Sequence, residues 1–274
     1  MEELAELKAS NAAASEPGQG LLRRFAGLER LYGKTGAARI RAAHVAVIGI
    51  GGVGSWAVEA LARSGVGHIT LVDLDHIAES NINRQVHALD NTLGKAKVQA
   101  MRERIALINP ICIVECIEEF VEPSNWPGIL PKGVHAVIDA CDQMNAKTAM
   151  AAWARTSGAM LISVGAAGGK KHAHKVDVAD LSIVTHDPLL AQLRYRLRKH
   201  HGAPREGRKI GITCVFSREA VASPDASCAL SSDGSLNCHG YGSSVAVTAT
   251  FGQCAAGWVL DEIAMDREAV KNTL

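Results

Sequence analysis

The stretch HVAVIGI at residues 44–50, followed by GGVG at 51–54 and SWAVEALARS at 55–64, contains the main fold signal of this chain. The first piece is the β-branched apolar run of a buried strand, and the third has the composition of a short helix. The pattern GxGxxG lies between them, where glycines allow a tight turn and a close approach to phosphates at the helix N-terminus. The stretch therefore predicts a nucleotide-binding loop formed by Gly49, Gly51, Gly52 and Gly54.

An acidic residue stands where such a loop needs one. A second predicted strand at 69–72 ends in Asp73, which follows Gly54 by 19 residues. An acid at this distance accepts hydrogen bonds from ribose hydroxyls in dinucleotide-binding folds. We therefore predict that Asp73 binds the ribose, with a purely structural glycine turn as the alternative.

Strand and helix patterns alternate along the rest of the chain. Further strands are predicted at 111–117, 134–138 and 160–164, with helices at 94–108 and 147–157. This alternation predicts an α/β fold with a Rossmann-like, mostly parallel sheet that has helices on both faces. The C-terminal half extends it with strands at 176–178, 181–184 and 212–216 and a basic helix at 188–200. Residues 1–20 are predicted to be a flexible tail, and residues 21–274 a single nucleotide-binding domain.

Charge is almost balanced over the 274 residues, with 29 basic and 28 acidic side chains and a net charge of +1. No global field draws this chain to nucleic acid, so such binding requires a local patch. The candidate patches are two clusters of basic residues, Arg194, Arg196, Arg198 and Lys199 in the basic helix and Lys170 and Lys171 before it. The alternative for the first cluster is the solvated face of an amphipathic helix.

Seven cysteines occur without any CxxC spacing, so no structural zinc is expected. The acidic start lacks the apolar core of a secretory signal, and we expect reduced thiols in the cytoplasm. Cys238 lies in a glycine-bearing segment and is a candidate functional thiol, or an incidental exposed cysteine. The apolar segment 245–260 predicts a buried helix, with membrane contact as the alternative.

The segment after Asp73 separates two kinds of nucleotide site. Arg84 follows Asp73 by eleven residues, and Lys97 opens the helix at 94–108. A hydride-transfer site needs no cations at phosphates, whereas nucleotidyl transfer needs them because negative charge grows on the α-phosphate and pyrophosphate. Either cation alone would suit a solvated surface. Their spacing together with Asp73 predicts a triphosphate site.

The chain closely resembles the ubiquitin-activating-enzyme superfamily, which includes bacterial adenylyltransferases of cofactor biosynthesis. The matching pieces are GIGGVG at 49–54, LVDLD at 71–75, SNINRQ at 80–85, GKAK at 94–97 and DACD at 139–142. The resemblance implies that Asn81, Arg84 and Lys97 hold ATP and that Asp142 holds Mg²⁺, although Gln143 stands where the family has asparagine. It also implies a homodimer in which Arg24 crosses to the partner subunit.

The C-terminal half is similar to the branch of this superfamily that dehydrates threonylcarbamoyladenosine in tRNA. The similar pieces are SVGAAGG at 163–169, HDPL at 186–189, CVFS at 214–217 and VTATFG at 247–252. This likeness implies ATP-dependent ring closure through adenylation of a tRNA-borne carboxylate, with tRNA as partner. The alternatives are an adenylyltransferase for a ubiquitin-like sulfur carrier and an inactive nucleotide-binding protein. Sulfur-transfer or cysteine-desulfurase proteins are further candidate partners.

Overall fold

The computed structural model describes residues 17–205, 207–223 and 241–265. It contains one seven-stranded sheet in the order β3-β2-β1-β4-β5-β7-β6. The strands are β1 His44–Ile48, β2 His68–Val72, β3 Ile113–Ile117, β4 Ala136–Asp139, β5 Met160–Val164, β6 Val176–Asp180 and β7 Thr213–Ser217. Every pairing is parallel except that of β6 with β7. The predicted Rossmann-like sheet is confirmed.

Helices cover both faces of this sheet, as predicted. They are α1 Pro17–Ala42, α2 Gly54–Arg63, α3 Lys97–Ile108, α4 Met144–Ser157, α5 Pro188–His200 and α6 Val245–Ala264. One apolar core joins α2, α3 and α6 to the sheet, and the second joins α4 and α5 to the opposite face. Because the strand order reverses between β1 and β4, the carboxyl ends of these two strands open a crevice for ligands.

Helix α6 is the predicted buried helix at 245–260. Its apolar residues Phe251, Ala255 and Val259 are fully buried in the first core. Gly252 lets it approach α2 closely, because a Cβ at this position would lie 2.5 Å from the Val53 carbonyl oxygen and 2.8 Å from the Ala57 nitrogen. Within the described ranges, no helix combines the length and apolarity needed to cross a bilayer.

Helix α1 has no counterpart among the elements predicted from the sequence. It begins at Pro17, within the stretch assigned to the tail, and its backbone is interrupted at Gly33, where φ is 71°. Tyr32 donates a hydrogen bond to Asp261 Oδ1 at 2.8 Å, which anchors α1 on α6. Burial, with the Asp261 carboxylate as a further cause, raises the pKa of Tyr32 to about 12.

The strand predicted at 181–184 is wrong, because these residues form a turn after β6. The Asp180 carboxylate accepts hydrogen bonds from the nitrogens of Ser182, Ile210 and Gly211, which ends the strand there. Leu181 and Val184 are buried in the second core. Their spacing of three reflects packing within a turn rather than the alternation of a strand.

Candidate nucleotide-binding site

The glycine loop leaves β1 at the crevice and enters α2. Gly49 has a φ of 86°, and a Cβ there would lie 3.0 Å from the Ala140 backbone, which follows β4. A Cβ on Gly54 would overlap the Gly49 carbonyl oxygen. Both positions therefore require glycine, for conformation and for space. The side of the loop at Gly51 is open, since nothing lies within 4 Å of the Cβ position.

Asp73 is fixed against this loop from the carboxyl end of β2. Its Oδ2 accepts a hydrogen bond from Ile50 N at 2.6 Å, and its Oδ1 accepts one from Asp75 N at 2.8 Å. The residue is 9% exposed. Burial raises its pKa, which Lys97 and the two backbone donors partly oppose. The carboxylate thus stands beside the loop, where the sequence predicts a ribose acceptor.

Lys97 forms an ion pair beside Asp73. Its Nζ lies 2.7 Å from Asp75 Oδ2, and its backbone nitrogen donates to the Asp75 carbonyl oxygen at 3.0 Å. The Lys97 side chain is 7% exposed, whereas that of Asp75 is 50% exposed. Sequence reasoning missed Asp75 as the partner of Lys97. The available signal was its position two residues after Asp73.

Arg84 lies over the glycine loop. A Cβ on Gly52 would be 3.4 Å from Arg84 Cγ, and Arg84 Nη1 donates to the Ser80 carbonyl oxygen at 2.7 Å. Trp56 Nε1 donates to the Arg84 carbonyl oxygen at 2.9 Å and so ties the backbone of Arg84 to α2. Sequence reasoning missed Trp56, because nothing local marks an indole as the support of a loop that comes later in the chain.

Asn81 supports the segment that carries Arg84. It is 2% exposed, and its Oδ1 accepts a hydrogen bond from Ala78 N at 3.1 Å. Its backbone carbonyl oxygen accepts hydrogen bonds from Arg84 N and Gln85 N. In this structure its side-chain oxygen is thus engaged with the protein's own backbone.

Asp142 follows the carboxyl end of β4, two residues from the Ala140 backbone that contacts Gly49. Its side chain is exposed and makes no hydrogen bond within the described residues. An unengaged carboxylate close to the glycine loop is of the kind that Mg²⁺ takes, since this ion binds through one or two carboxylates plus substrate phosphates. Gln143, also exposed, adds a neutral side chain next to it.

Arg24 lies far from the glycine loop of its own chain. Its Nη1 donates to the Ile108 carbonyl oxygen at 2.8 Å, at the last residue of α3. Lys97 is the first residue of that helix, about 16 Å away at 1.5 Å per residue. Arg24 is therefore remote from Lys97 of its own chain.

The predicted nucleic-acid residues are differently placed. Lys170 is only 2% exposed, and its Nζ donates to the carbonyl oxygens of His186 and Glu219. Its prediction as a surface phosphate contact is wrong, because the ammonium is enclosed by the protein; burial also lowers its pKa. Lys171 is exposed. Cys238 lies outside the described residues.

The arginines of the basic cluster on α5 are engaged with the protein's own chain. Helix α5 begins beside β5, where Asp187 accepts a hydrogen bond from Ala166 N, and Arg194 reaches back to the carbonyl oxygens of Leu181 and Val184. Arg196 donates to Asn145, and Arg198 to the Pro204 carbonyl oxygen. Lys199 is exposed. The arginines are half-buried and help hold α5 in place, while Leu190, Leu193 and Leu197 form its buried face.

The glycine loop, the Asp73 carboxylate and two cations, Arg84 and Lys97, lie together at the carboxyl ends of β1 and β2, an arrangement typical of nucleotide-binding α/β proteins. The chain belongs to the ThiF family, whose model matches residues 22–273. It is 43% identical over 242 residues to a tRNA threonylcarbamoyladenosine dehydratase of Haemophilus influenzae, covering 88% of this chain and 93% of that protein.

Similarity extends to solved structures. The Escherichia coli tRNA N6-threonylcarbamoyladenosine dehydratase, in complex with ATP, superposes with a TM-score of 0.80 at 41% identity, covering 88% of this chain and 94% of that one. Its complex with AMP gives a TM-score of 0.81 at 41% identity, covering 91% and 97%. The fold class assigned from sequence is that of these neighbours.

Proposed function

We propose that this chain is an ATP-dependent tRNA dehydratase that closes the ring of threonylcarbamoyladenosine beside the anticodon. The observation that carries the proposal is identity of 43% and 41% over nearly the whole chain to two proteins named tRNA threonylcarbamoyladenosine dehydratase. The residues that line the crevice support it, because they are those that a nucleotidyl-transfer site requires.

The reaction proceeds in two displacements. The threonyl carboxylate attacks the α-phosphate of ATP, the bond to the β-phosphate breaks, and pyrophosphate leaves. The neighbouring carbamoyl group then attacks the acyl carbon, AMP leaves with the former carboxylate oxygen, and a proton is released as the ring closes. The substrate loses the elements of water, and ATP becomes AMP and pyrophosphate.

Different residues of the chain bind the ribose, the phosphates and the metal ion in this proposal. Asp73 accepts the ribose hydroxyls, the backbone around Gly51 approaches the phosphates, and Arg84 and Lys97 neutralise charge that develops on them. The segment held by Asn81 carries Arg84. Asp142 would hold Mg²⁺, which supplies positive charge to the pyrophosphate leaving group when bound.

A homodimer completes the proposed site. Arg24 lies at the far end of α3 from Lys97, so it can serve a nucleotide only in a partner subunit. Cytoplasmic location accords with five free cysteines among the described residues.

Phosphate contacts to tRNA are assigned to Lys171 at the carboxyl end of β5 and to Lys199 and Arg196 on α5. We also propose sulfur-transfer proteins as partners and a functional thiol at Cys238.

Pyrophosphate exchange tests the function. Labelled pyrophosphate should enter ATP only when tRNA bearing threonylcarbamoyladenosine is present, and mass spectrometry should detect its cyclic product. Exchange that depends instead on a protein ending in Gly-Gly identifies a carrier adenylyltransferase. ATP binding without exchange in either case identifies an inactive relative.

A further inference from the structure

A fully buried ion pair lies beneath the proposed nucleotide site. Lys147 Nζ and Asp139 Oδ2 are 2.7 Å apart, and both side chains are 0% exposed. Burying two charges sacrifices their hydration, and well-packed apolar residues commonly fill such a space with equal or greater stability. Stability alone therefore does not account for this pair.

The ammonium joins three elements of the fold. Besides Asp139 on β4, Lys147 Nζ donates to Ser163 Oγ at 3.2 Å and to the Val164 carbonyl oxygen at 3.0 Å, both on β5. Ser163 Oγ in turn donates to Asp139 Oδ2 at 2.6 Å. Lys147 itself is on α4, so the network fixes the carboxyl ends of β4 and β5 relative to the start of that helix.

The second oxygen of Asp139 controls the turn that leads to Asp142. Asp139 Oδ1 accepts hydrogen bonds from Cys141 N at 3.3 Å and from Cys141 Sγ at 3.1 Å. On the other side of the same turn, the Gly49 Cβ position lies 3.0 Å from Cys141 N. The peptide between Ala140 and Cys141 is thus held between the glycine loop and the Asp139 carboxylate.

We propose that Lys147 is a positioning residue: it orients Asp139, which fixes the turn at Cys141 and directs the Asp142 carboxylate toward the cation that accompanies ATP. The inference rests on the proposed function, because Asp142 is the assigned Mg²⁺ ligand. Lys147 touches neither nucleotide nor metal, and its contribution passes through the 139–142 turn.

The test compares ATP binding with and without Mg²⁺ in the full-length protein, measured by isothermal titration calorimetry without tRNA. Lys147→Met should leave metal-free ATP affinity within about twofold, because the glycine loop and Asp73 remain. It should reduce the gain in affinity that Mg²⁺ confers by about tenfold, as expected when a residue that orients a metal ligand is lost.

The single variant leaves a buried carboxylate without its partner and is expected to be destabilised. The double variant Asp139→Leu/Lys147→Met removes both charges, so it can fold without that penalty and should show the same loss of Mg²⁺ dependence. Glu59→Gln is the control, because the buried Glu59 on α2 forms an ion pair at 2.6 Å with the part-exposed Arg104 on α3, away from the 139–142 turn. It should lower the melting temperature without changing the Mg²⁺ dependence.

Three results would overturn the inference. They are a wild-type ATP affinity that does not respond to Mg²⁺, a folded double variant with the wild-type response, and equal losses of metal-free and Mg²⁺-dependent binding. Because the measurement omits tRNA, a protein that binds ATP with Mg²⁺ but does not dehydrate modified tRNA would refute the proposed function and leave the role of Lys147 intact.

Discussion

Lys97 Nζ lies 2.7 Å from Asp75 Oδ2, so the cation assigned to the triphosphate is paired with a carboxylate of its own chain. The same Asp75 donates its backbone N–H to Asp73. A triphosphate that approaches Lys97 therefore also approaches the negative charge of Asp75, which lowers the net attraction.

Asp75→Asn should strengthen ATP binding. A unit charge about 4 Å away contributes about 1 kcal/mol in a water-like medium, which corresponds to roughly fivefold in affinity. Calorimetric titration of ATP at low salt measures this increase in affinity. Glu103→Gln is the control, because Glu103 pairs with Lys95 on the exposed side of the same region. Weaker binding by the Asp75→Asn variant would mean that Asp75 orients Lys97 for the phosphates.

Arg84→Ala should reduce kcat by about 100-fold or more. Loss of one hydrogen-bond donor to the charge that develops in the transition state usually lowers kcat by this factor. The fold should persist, because Trp56 and Thr248 bond to the backbone oxygen of Arg84 and not to its guanidinium. Steady-state kinetics and the melting temperature separate the two effects. Turnover at the wild-type level in this variant would remove Arg84 from the site.

Alanine substitutions at two glycines of the loop should affect different properties, namely the stability of the protein at Gly54 and its affinity for ATP at Gly51. Gly54→Ala places a methyl group on the Gly49 carbonyl oxygen and should destabilise the protein by about 3 kcal/mol or more. Gly51→Ala meets no atom within 4 Å and should fold normally, yet bind ATP at least several-fold more weakly, because its methyl group would occupy open space that we assign to the phosphates. Thermal denaturation and ATP titration of both variants provide the comparison.

Acid should unfold this protein through buried histidines. Burial, followed by the charges of Lys97 and Arg104, lowers the pKa of His87 to about 3; burial lowers that of His44 to about 4, with His68 adding to the effect. Their ordinary value in the unfolded chain is about 6.5. The unfolded chain therefore binds more protons below pH 6.5, and stability falls as pH drops toward these folded-state pKa values.

His87→Leu should remove part of that dependence. His87 is 2% exposed, and neither ring nitrogen has a hydrogen-bond partner among the described residues, so an apolar side chain suits the site. Each such histidine contributes at most about 1.4 kcal/mol per pH unit to the slope. Urea unfolding at pH 5 and pH 7 measures the slope, and an unchanged slope in the His87→Leu variant would contradict this assignment.

Local patterns predicted the sheet and the loop because their signals are contiguous in the chain. The run at 44–54 contains a strand, a turn and glycines together, and Asp73 sits directly at a strand end. The prediction at Leu181 was wrong because a short run of buried residues also occurs in turns. Helix α1 escaped prediction because its few apolar positions are interrupted at Gly33.

Burial of charge could not be predicted in the same way. Lys170 stands in a basic run and was assigned to the surface, whereas distant carbonyl groups enclose it. Lys147 sits among alanines and methionines, and its partner Asp139 belongs to a motif that drew attention to Asp142 instead. Tertiary contacts decide which lysines are buried, and no spacing rule encodes them.

The close contact at Gly252 also has a consequence for biosynthesis. Helix α2 is translated almost two hundred residues before its packing partner α6. Until α6 is made, the sheet and α3 can cover part of the apolar side of α2, but the part that packs on α6 stays exposed, which favours association with chaperones or aggregation. We therefore expect the glycine loop, whose Val53 carbonyl oxygen adjoins Gly252, to reach its final packing only after α6 has been translated.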